Sequence, residues 1–351
     1  MAIIDKPSDY FNTKLFTGNG GTNAITGVGF QPDWIWFKNR TSAQSHAIVD
    51  SVRGRKGLQS NATDAEYTLA SGKDFGTFDS DGFTVLTPQQ LNSFNYNTGS
   101  IVSWNWKAGT SVSGNTSGSG TAKAYSGSVN TTSGFSIITY LGNGTAGHAI
   151  PHHLGTTPAL VIARTISVAK DWNVYHHKNT SAPETEVLVL NTTAATADDL
   201  GVWNDTAPTS SVVTLGDSSQ LNTNDGTCIL YAFSEKQGFS KMGSYTGNGN
   251  AYGAFIYTGF KPAFVLVKRT DSANDWCLYD NKRDTDNVVQ DKLQPNQTSA
   301  ESDDTSMDFV SNGFKFRETG GNFNASGGTY IYMAFAENPF VASNFNAATA
   351  R

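Results

Sequence analysis

One turn signature recurs three times along this chain, and it limits the available folds more than any other feature. An apolar or aromatic stretch running into Gly-Asn-Gly occurs at Leu15-Phe16-Thr17-Gly18-Asn19-Gly20, at Tyr140-Leu141-Gly142-Asn143-Gly144 and at Tyr245-Thr246-Gly247-Asn248-Gly249. Self-similarity at this spacing means that one unit of roughly a hundred residues has been copied in series. The copies can be followed further. Gly29-Phe30-Gln31-Pro32 returns as Gly259-Phe260-Lys261-Pro262, and more loosely as Leu154-Gly155-Thr156-Thr157-Pro158. Each leads into an apolar run, Trp34 to Lys38, Leu160 to Arg164 and Phe264 to Lys268, that ends on a base where the chain is expected to re-enter water. A second strand follows at once in each copy, His46 to Asp50, Trp172 to His176 and Trp276 to Asp280, so a hairpin is predicted.

The middle of each copy carries Asn-x-Thr-x-Ala, at Asn61 to Ala65, Asn191 to Ala195 and Asn296 to Ala300. Tight turns follow at Asp79-Ser80-Asp81-Gly82 and Ser311-Asn312-Gly313, where Asp-Gly and Asn-Gly favour hairpins. The copies close on alternating bulky residues: Val102, Trp104, Trp106; Ile229, Tyr231, Phe233; Ile331, Met333, Phe335. Such a pattern, with turn signals every 8–12 residues or so, predicts an all-β protein of three tandem antiparallel β-sandwich modules of jelly-roll or lectin-like type. Composition agrees: charged residues are only 15%, aromatics reach 12%, and no stretch keeps a helical recurrence for three turns.

The predicted boundaries are an N-terminal arm plus first module over 1–107, a Gly/Ser/Thr-rich flexible linker over 108–128, a second module over 129–238 and a third over 239–351. The linker lets the first module move independently, whereas the short Ser234 to Phe239 connection packs the other two as a unit.

Several constellations could carry chemistry. Five of the six histidines lie in the second copy, and imidazoles gathered this way could bind a metal, with His152 and His176 the best donors. Neighbours on a strand point to opposite faces, however, so His152-His153 and His176-His177 offer one ligand each at best. The turns Asp79 to Gly82 and Glu301 to Asp304 could supply oxygens to calcium, but neither has the spacing of a dedicated calcium loop. Otherwise no cofactor is expected. Asp50 and Asp280 each precede an arginine by three residues, Arg53 and Arg283, which reads as a strand-end salt bridge rather than a duplicated active site. No Gly-x-Ser-x-Gly precedes a helix and Cys228 and Cys277 lie in strands, so the chain is expected not to be an enzyme. Cys228 and Cys277 sit in apolar strands and are expected to be buried free thiols. Sugar binding uses flat aromatic faces beside amides and turns, which makes Trp172, Trp203 and Trp276 the candidate ligand-binding residues, with Trp34 a weaker one. A tryptophan in a small sandwich is, against that, commonly core.

The formal net charge of −6 with scattered bases gives no footprint for nucleic acid. No run of about 18 apolar residues occurs, so membrane insertion is not expected, and Met1 to Asp9 lacks the pattern of a secretory signal, which points to synthesis in a cytoplasm.

Taken as a set, Tyr10 to Gly20, Gly29 to Lys38, Phe78 to Gly82-Phe83, Trp104-Asn105-Trp106-Lys107-Ala108-Gly109 and the closing Ile331 to Glu337 resemble a repeated domain of unknown function found in virion proteins of marine bacteriophages. The resemblance covers essentially the whole chain and implies a virion structural protein, tail fibre or adhesin, assembled in the bacterial cytoplasm with other virion proteins as partners. Three functions follow as expectations: a tail-fibre or receptor-binding component contacting host surface polysaccharide, as a homotrimer; a capsid decoration or head-fibre protein; or, ranked last, a polysaccharide-degrading enzyme. Any private interaction is expected in the divergent second copy.

Overall fold

The computed structural model describes residues 3–342 and residue 347. Among these, helix is confined to the single turn Leu200–Trp203 and two 3-10 turns, and the rest of the regular structure is antiparallel strand. In the first copy the opening strand Phe11–Thr17 pairs with the closing strand Ser100–Trp106. That strand pairs in turn with Trp34–Asn39, which forms the expected hairpin with Ala47–Asp50. The same order recurs in the second copy as Phe135–Leu141, Thr227–Phe233, Leu160–Thr165 and Asn173–His176. It recurs again in the third as Ser240–Thr246, Thr329–Pro339, Phe260–Arg269 and Cys277–Asp280.

A small sheet covers one face of each large sheet. In the first copy it consists of Asn23–Thr26, Gly82–Val85 and Phe75–Asp79. Phe37, Val49 and Ile101 of the large sheet meet Ile25, Phe75 and Phe83 of the small one across a closed apolar layer. Val161 and Leu230 meet Ile150 and Val213 in the second copy, and Val265 and Tyr332 meet Phe309 and Phe314 in the third. Gly82 and Gly313 matter here because the chain turns directly against the next strand. A Cβ at either would collide with the carbonyl of Ile25 or Ile256.

The opposite faces of the three large sheets are buried too, against one another. One continuous core gathers Phe11, Trp34, Trp36, Trp104 and Trp106 from the first copy with Phe135, Trp172, Tyr231 and Phe233 from the second and Phe264, Trp276, Met333 and Phe335 from the third. Ring centroids of Trp34 and Tyr231 are 4.8 Å apart, those of Phe11 and Phe335 5.0 Å, and those of Trp106 and Phe264 5.7 Å. This is why Trp34-Ile35-Trp36-Phe37 is apolar without alternation: a strand covered on both faces has no polar side to show.

The contacts across this core run in a cycle. Trp172 of the second copy donates its indole N–H to the Gln59 carbonyl of the first (2.8 Å), and Trp276 of the third donates to Val189 of the second (3.0 Å). His46, the equivalent side chain of the first copy, faces the Gln294 backbone of the third without closing a full hydrogen bond. The Asn-x-Thr-x-Ala motif serves the same seams. Asn61, Asn191 and Asn296 each accept from the backbone N–H of His46, Trp172 or Trp276 in their own copy. The carbonyls of Thr63, Thr193 and Thr298 accept from Arg164, Lys268 and Lys38 of a neighbouring copy.

Three expectations are corrected by this arrangement. The strand-end bases do not re-enter water: Lys38, Arg164 and Lys268 are fully buried, with their charge solvated by carbonyls of their own and of the adjacent copy. The stretch 108–128 is not a free linker. Thr110–Asn115 and Ala124–Asn130 pair with each other and extend the second large sheet, since ladder hydrogen bonds come from the backbone and need no apolar alternation. Nor is the first copy independent, because its tryptophans close the common core. The short connection between the second and third copies is a turn closed by Phe239 N–H to Lys236 O (3.0 Å).

Candidate functional site

All seven tryptophans are buried, so the expected aromatic platform for a sugar is not made of tryptophan. Trp172 and Trp276 lie in the seams just described. Trp203 sits on the lone helical turn, inside the second sandwich, with its ring edge-on to Tyr175 at 6.1 Å. Trp34 is at the centre of the shared core. The ligand-binding reading of Trp172, Trp203 and Trp276 is therefore replaced by a packing role.

The histidines are likewise engaged by the protein itself. His152 donates through Nε2 to the Thr209 carbonyl (3.2 Å) and accepts at Nδ1 from the Leu154 N–H (3.2 Å). His176 donates to the Tyr332 carbonyl (3.1 Å) and accepts from the Lys178 N–H (3.1 Å). With both ring nitrogens of each satisfied, and no group of three potential ligands among the described residues, the two do not come together as a metal pair. Burial lowers the His152 pKa to about 4 and that of His176 to about 3. His148 and His153 instead clasp the added strands, through Thr116 (2.7 Å) and Tyr125 (2.9 Å). The acidic turns are also taken up internally. Asp81 accepts from the Gly27 and Gly29 N–H groups, Asp79 from Thr77 and Thr84, and Glu301 from Arg40 and Arg283. Asp50–Arg53 and Asp280–Arg283 form the expected salt bridges, at 2.6 Å each.

The Gly-Asn-Gly turns are clamped by a motif that sequence reading missed: Phe94-Asn95, Leu221-Asn222 and Phe323-Asn324. Asn95, Asn222 and Asn324 each accept the N–H of the turn asparagine, at 3.0, 2.8 and 2.9 Å. These buried asparagines are structural ties.

Among the clefts open to solvent, a double one lies beside the connection between the second and third copies. One part, about 530 Å3, is lined by Glu235, Lys236, Lys241, Tyr257, Ile3 and Phe340 among others. The other, about 370 Å3, is lined by His177, Lys178, Glu235, Lys241, Phe255 and Tyr257 among others. Glu235, Lys241 and Tyr257 belong to both, so the two parts form one surface. Its aromatic wall comes from the edge strand Phe255–Tyr257, in which Ile256 points into the core while Phe255 and Tyr257 point out, 49% and 57% exposed. Tyr252 stands just before it at 77% exposure, with Lys315 Nζ 5.6 Å from its ring centre.

The polar wall is held in place by the connection itself. Glu235 accepts the Met242 N–H at 2.9 Å and lies 3.9 Å from His177 Nε2, while His177 contacts the Met242 carbonyl at 2.7 Å. Burial lowers the pKa of Lys236. The floor is the first strand of the third copy, where Gly243 leaves room for the Tyr332 ring. The arm preceding Asn12 closes one end, with Ile4 N–H bound to the Gln237 carbonyl at 3.0 Å. Rigid aromatic faces beside amides, a carboxylate and ammonium groups can stack on the C–H faces of sugar rings and bind their hydroxyls.

A family model described as a domain of unknown function, DUF7483, matches residues 6–339. The chain belongs to that family. No curated protein and no solved structure matches it. The DUF7483 match takes in all three copies and most of the double cleft's lining, and its description carries no function to transfer to the aromatic wall or to the connection that shapes it.

Proposed function

We propose that this DUF7483 chain is a non-catalytic surface component of a bacteriophage particle, a tail-fibre or receptor-binding part that contacts host surface glycan through the cleft at Tyr252, Phe255 and Tyr257. The observation that carries the reading is the distribution of aromatics. Nearly all are spent inside, including every tryptophan, yet three stand in solvent within six residues, and two of them, Phe255 and Tyr257, line a polar cleft. Isolated exposed apolar residues need no explanation, but a cluster at a concave surface does. Binding is favoured over cleavage because the described lining holds one carboxylate, Glu235, where glycoside hydrolysis employs two.

A glycan array probed with the full chain tests this. Binding to one or more host-derived polysaccharides is expected, with Tyr257→Ala and Tyr252→Ala each weakening it about tenfold, as the loss of about 1.4 kcal/mol of stacking would. Silence across the array, or binding untouched by both substitutions, would sink the proposal.

One observation favours the capsid-decoration reading as a second. Three copies joined in a cycle suit a position of local threefold symmetry, and no stalk is present among the described residues. Antibody labelling of intact particles separates the two, since label on the head supports decoration and label confined to the tail supports the fibre reading.

A further inference from the structure

The charge of the double cleft does not follow that of the chain. The protein as a whole carries a formal net charge of −6. The cleft gathers Lys178, Lys236 and Lys241 against the single carboxylate of Glu235, with His177 beside them. Lys315 adds a further ammonium over the Tyr252 ring. None of these four lysines is in an ion pair among the described residues. The acid facing Lys315 across the strand pair, Asp308, is engaged by Arg317 instead. Glu235 is itself committed, holding the Met242 N–H. Cations left without internal partners at the rim of a cleft, in an otherwise acidic protein, are placed to receive negative charge from outside.

Aromatic and cationic groups adjoin one another on this surface. Phe255 and Lys315 are direct cross-strand partners, so their side chains share one face of the small sheet. Tyr257 follows two residues on, and Lys241 lines both parts of the cleft below it. A chain of sugar rings bearing acidic groups presents the matching sequence of features, with C–H faces to stack and an anion at each decorated ring.

We infer that the ligand of this cleft is an acidic polysaccharide, one carrying carboxylate or sulfate groups. This rests on the glycan-binding reading above and narrows it. Lysines supply the charge contacts as point cations, and the rings of Tyr252, Phe255 and Tyr257 supply the stacking that a purely electrostatic attraction would lack.

The test is calorimetric titration of the full chain with three probes at low and moderate salt: polygalacturonate for carboxylate, dextran sulfate for sulfate, and neutral dextran. Binding to either acidic polymer at least tenfold tighter than to dextran is expected, falling as salt rises. The polymer that binds identifies the acidic group. In the pair Lys178→Ala and Lys241→Ala, combined in one variant, this preference should shrink about tenfold while thermal unfolding stays unchanged, because Lys178 is exposed, Lys241 is only half-buried, and neither is in an ion pair among the described residues. Tyr257→Ala should weaken the acidic polymer as well. If it does not, the attraction is bulk electrostatics and the inference fails. Equal binding to dextran and to the acidic polymers would overturn the acidic-ligand inference while leaving glycan binding intact, and binding to none of the three together with a silent array would remove both.

Discussion

At the seam between the second and third copies, His176 stands where the other seams carry Asp50 and Asp280. Asp50 accepts from the Tyr231 hydroxyl (2.7 Å) and from Arg53, and Asp280 accepts from the Trp104 indole (3.0 Å) and from Arg283. The residue equivalent to Tyr231 and Trp104 at the remaining seam is Met333, which has no proton to donate. A carboxylate there would be buried without its donor, at a cost of several kcal/mol. The second copy replaces both members of the pair, with His176 for the aspartate and Asn179 for the arginine, and the neutral imidazole turns to the Tyr332 carbonyl instead. Neutrality has a pH consequence. The folded-state pKa of His176, about 3, lies below its unfolded value of about 6.5, so between these limits the unfolded chain binds the proton and the native one does not. Stability is therefore complete above pH 6.5 and is lost as pH falls toward 3, by up to about 1.4 kcal/mol per pH unit for this one group. Urea unfolding at pH 7, 5.5 and 4 should show this loss, and His176→Gln should flatten it by one proton's worth. Parallel curves for the two proteins would refute the assignment.

The strand-end bases carry the argument at the scale of elements. Lys268 closes the strand Phe260–Arg269 and donates to the carbonyls of Asn274 (2.5 Å) and of Thr193 in the neighbouring copy (2.9 Å). Lys268→Met keeps the apolar stem but strands both carbonyls, which should cost about 1–3 kcal/mol. Burial lowers the Lys268 pKa to about 8, below its unfolded value near 10.5, so the native protein gives up its proton first as pH rises. The penalty for burying the charge thus fades between pH 8 and 10.5, and the neutral amine still donates. The stability gap between wild type and Lys268→Met should widen from pH 7 to pH 10 in denaturant titrations, and a gap that narrows would show the ammonium to be favourable where it sits.

These elements also show what the sequence could and could not reveal. The strands, their hairpins and the Asn-x-Thr-x-Ala motif were legible because turn chemistry and apolar runs are local signals. The partners of Thr63, Thr193 and Thr298 were not, because each lies in another copy, 101, 75 and 260 residues away. Asn95, Asn222 and Asn324 escaped notice because an apolar residue before asparagine is too common to punctuate a sequence. Residues 108–128 looked like a linker because two partnered strands facing mostly water need no apolar alternation. The tryptophans were offered as a ligand platform because a sequence does not state that both faces of a sheet are covered. Tyr252, Phe255 and Tyr257 carry no local mark of exposure, and it is the place of Phe255–Tyr257 on a sheet edge that leaves Phe255 and Tyr257 open to water.

For the molecule as a whole, the decisive fact is that the largest core belongs to no single copy. Trp34, Trp36, Trp104 and Trp106 of the first copy pack against Phe135, Tyr231 and Phe233 of the second and Phe264 and Phe335 of the third. The cyclic seams supply within one chain what a trimer of single-copy subunits would have to supply by association, so no copy has a stable surface to show when alone. Residues 1–107 expressed by themselves would expose four tryptophans that the full chain keeps dry, and that fragment should aggregate or stay unfolded. Tandem domains with separate cores would unfold in separate steps; here calorimetry of the full chain should give one transition whose van't Hoff and calorimetric enthalpies agree. Trp106→Ala, in the middle of the shared core, should cost about 3–5 kcal/mol and lower that single transition as a whole rather than detach one copy from it. Resolution of the thermogram into independent transitions, or a soluble 1–107 fragment with native near-ultraviolet dichroism, would mean that the cores fold separately and that the central aromatic cluster is only a docking interface between finished domains.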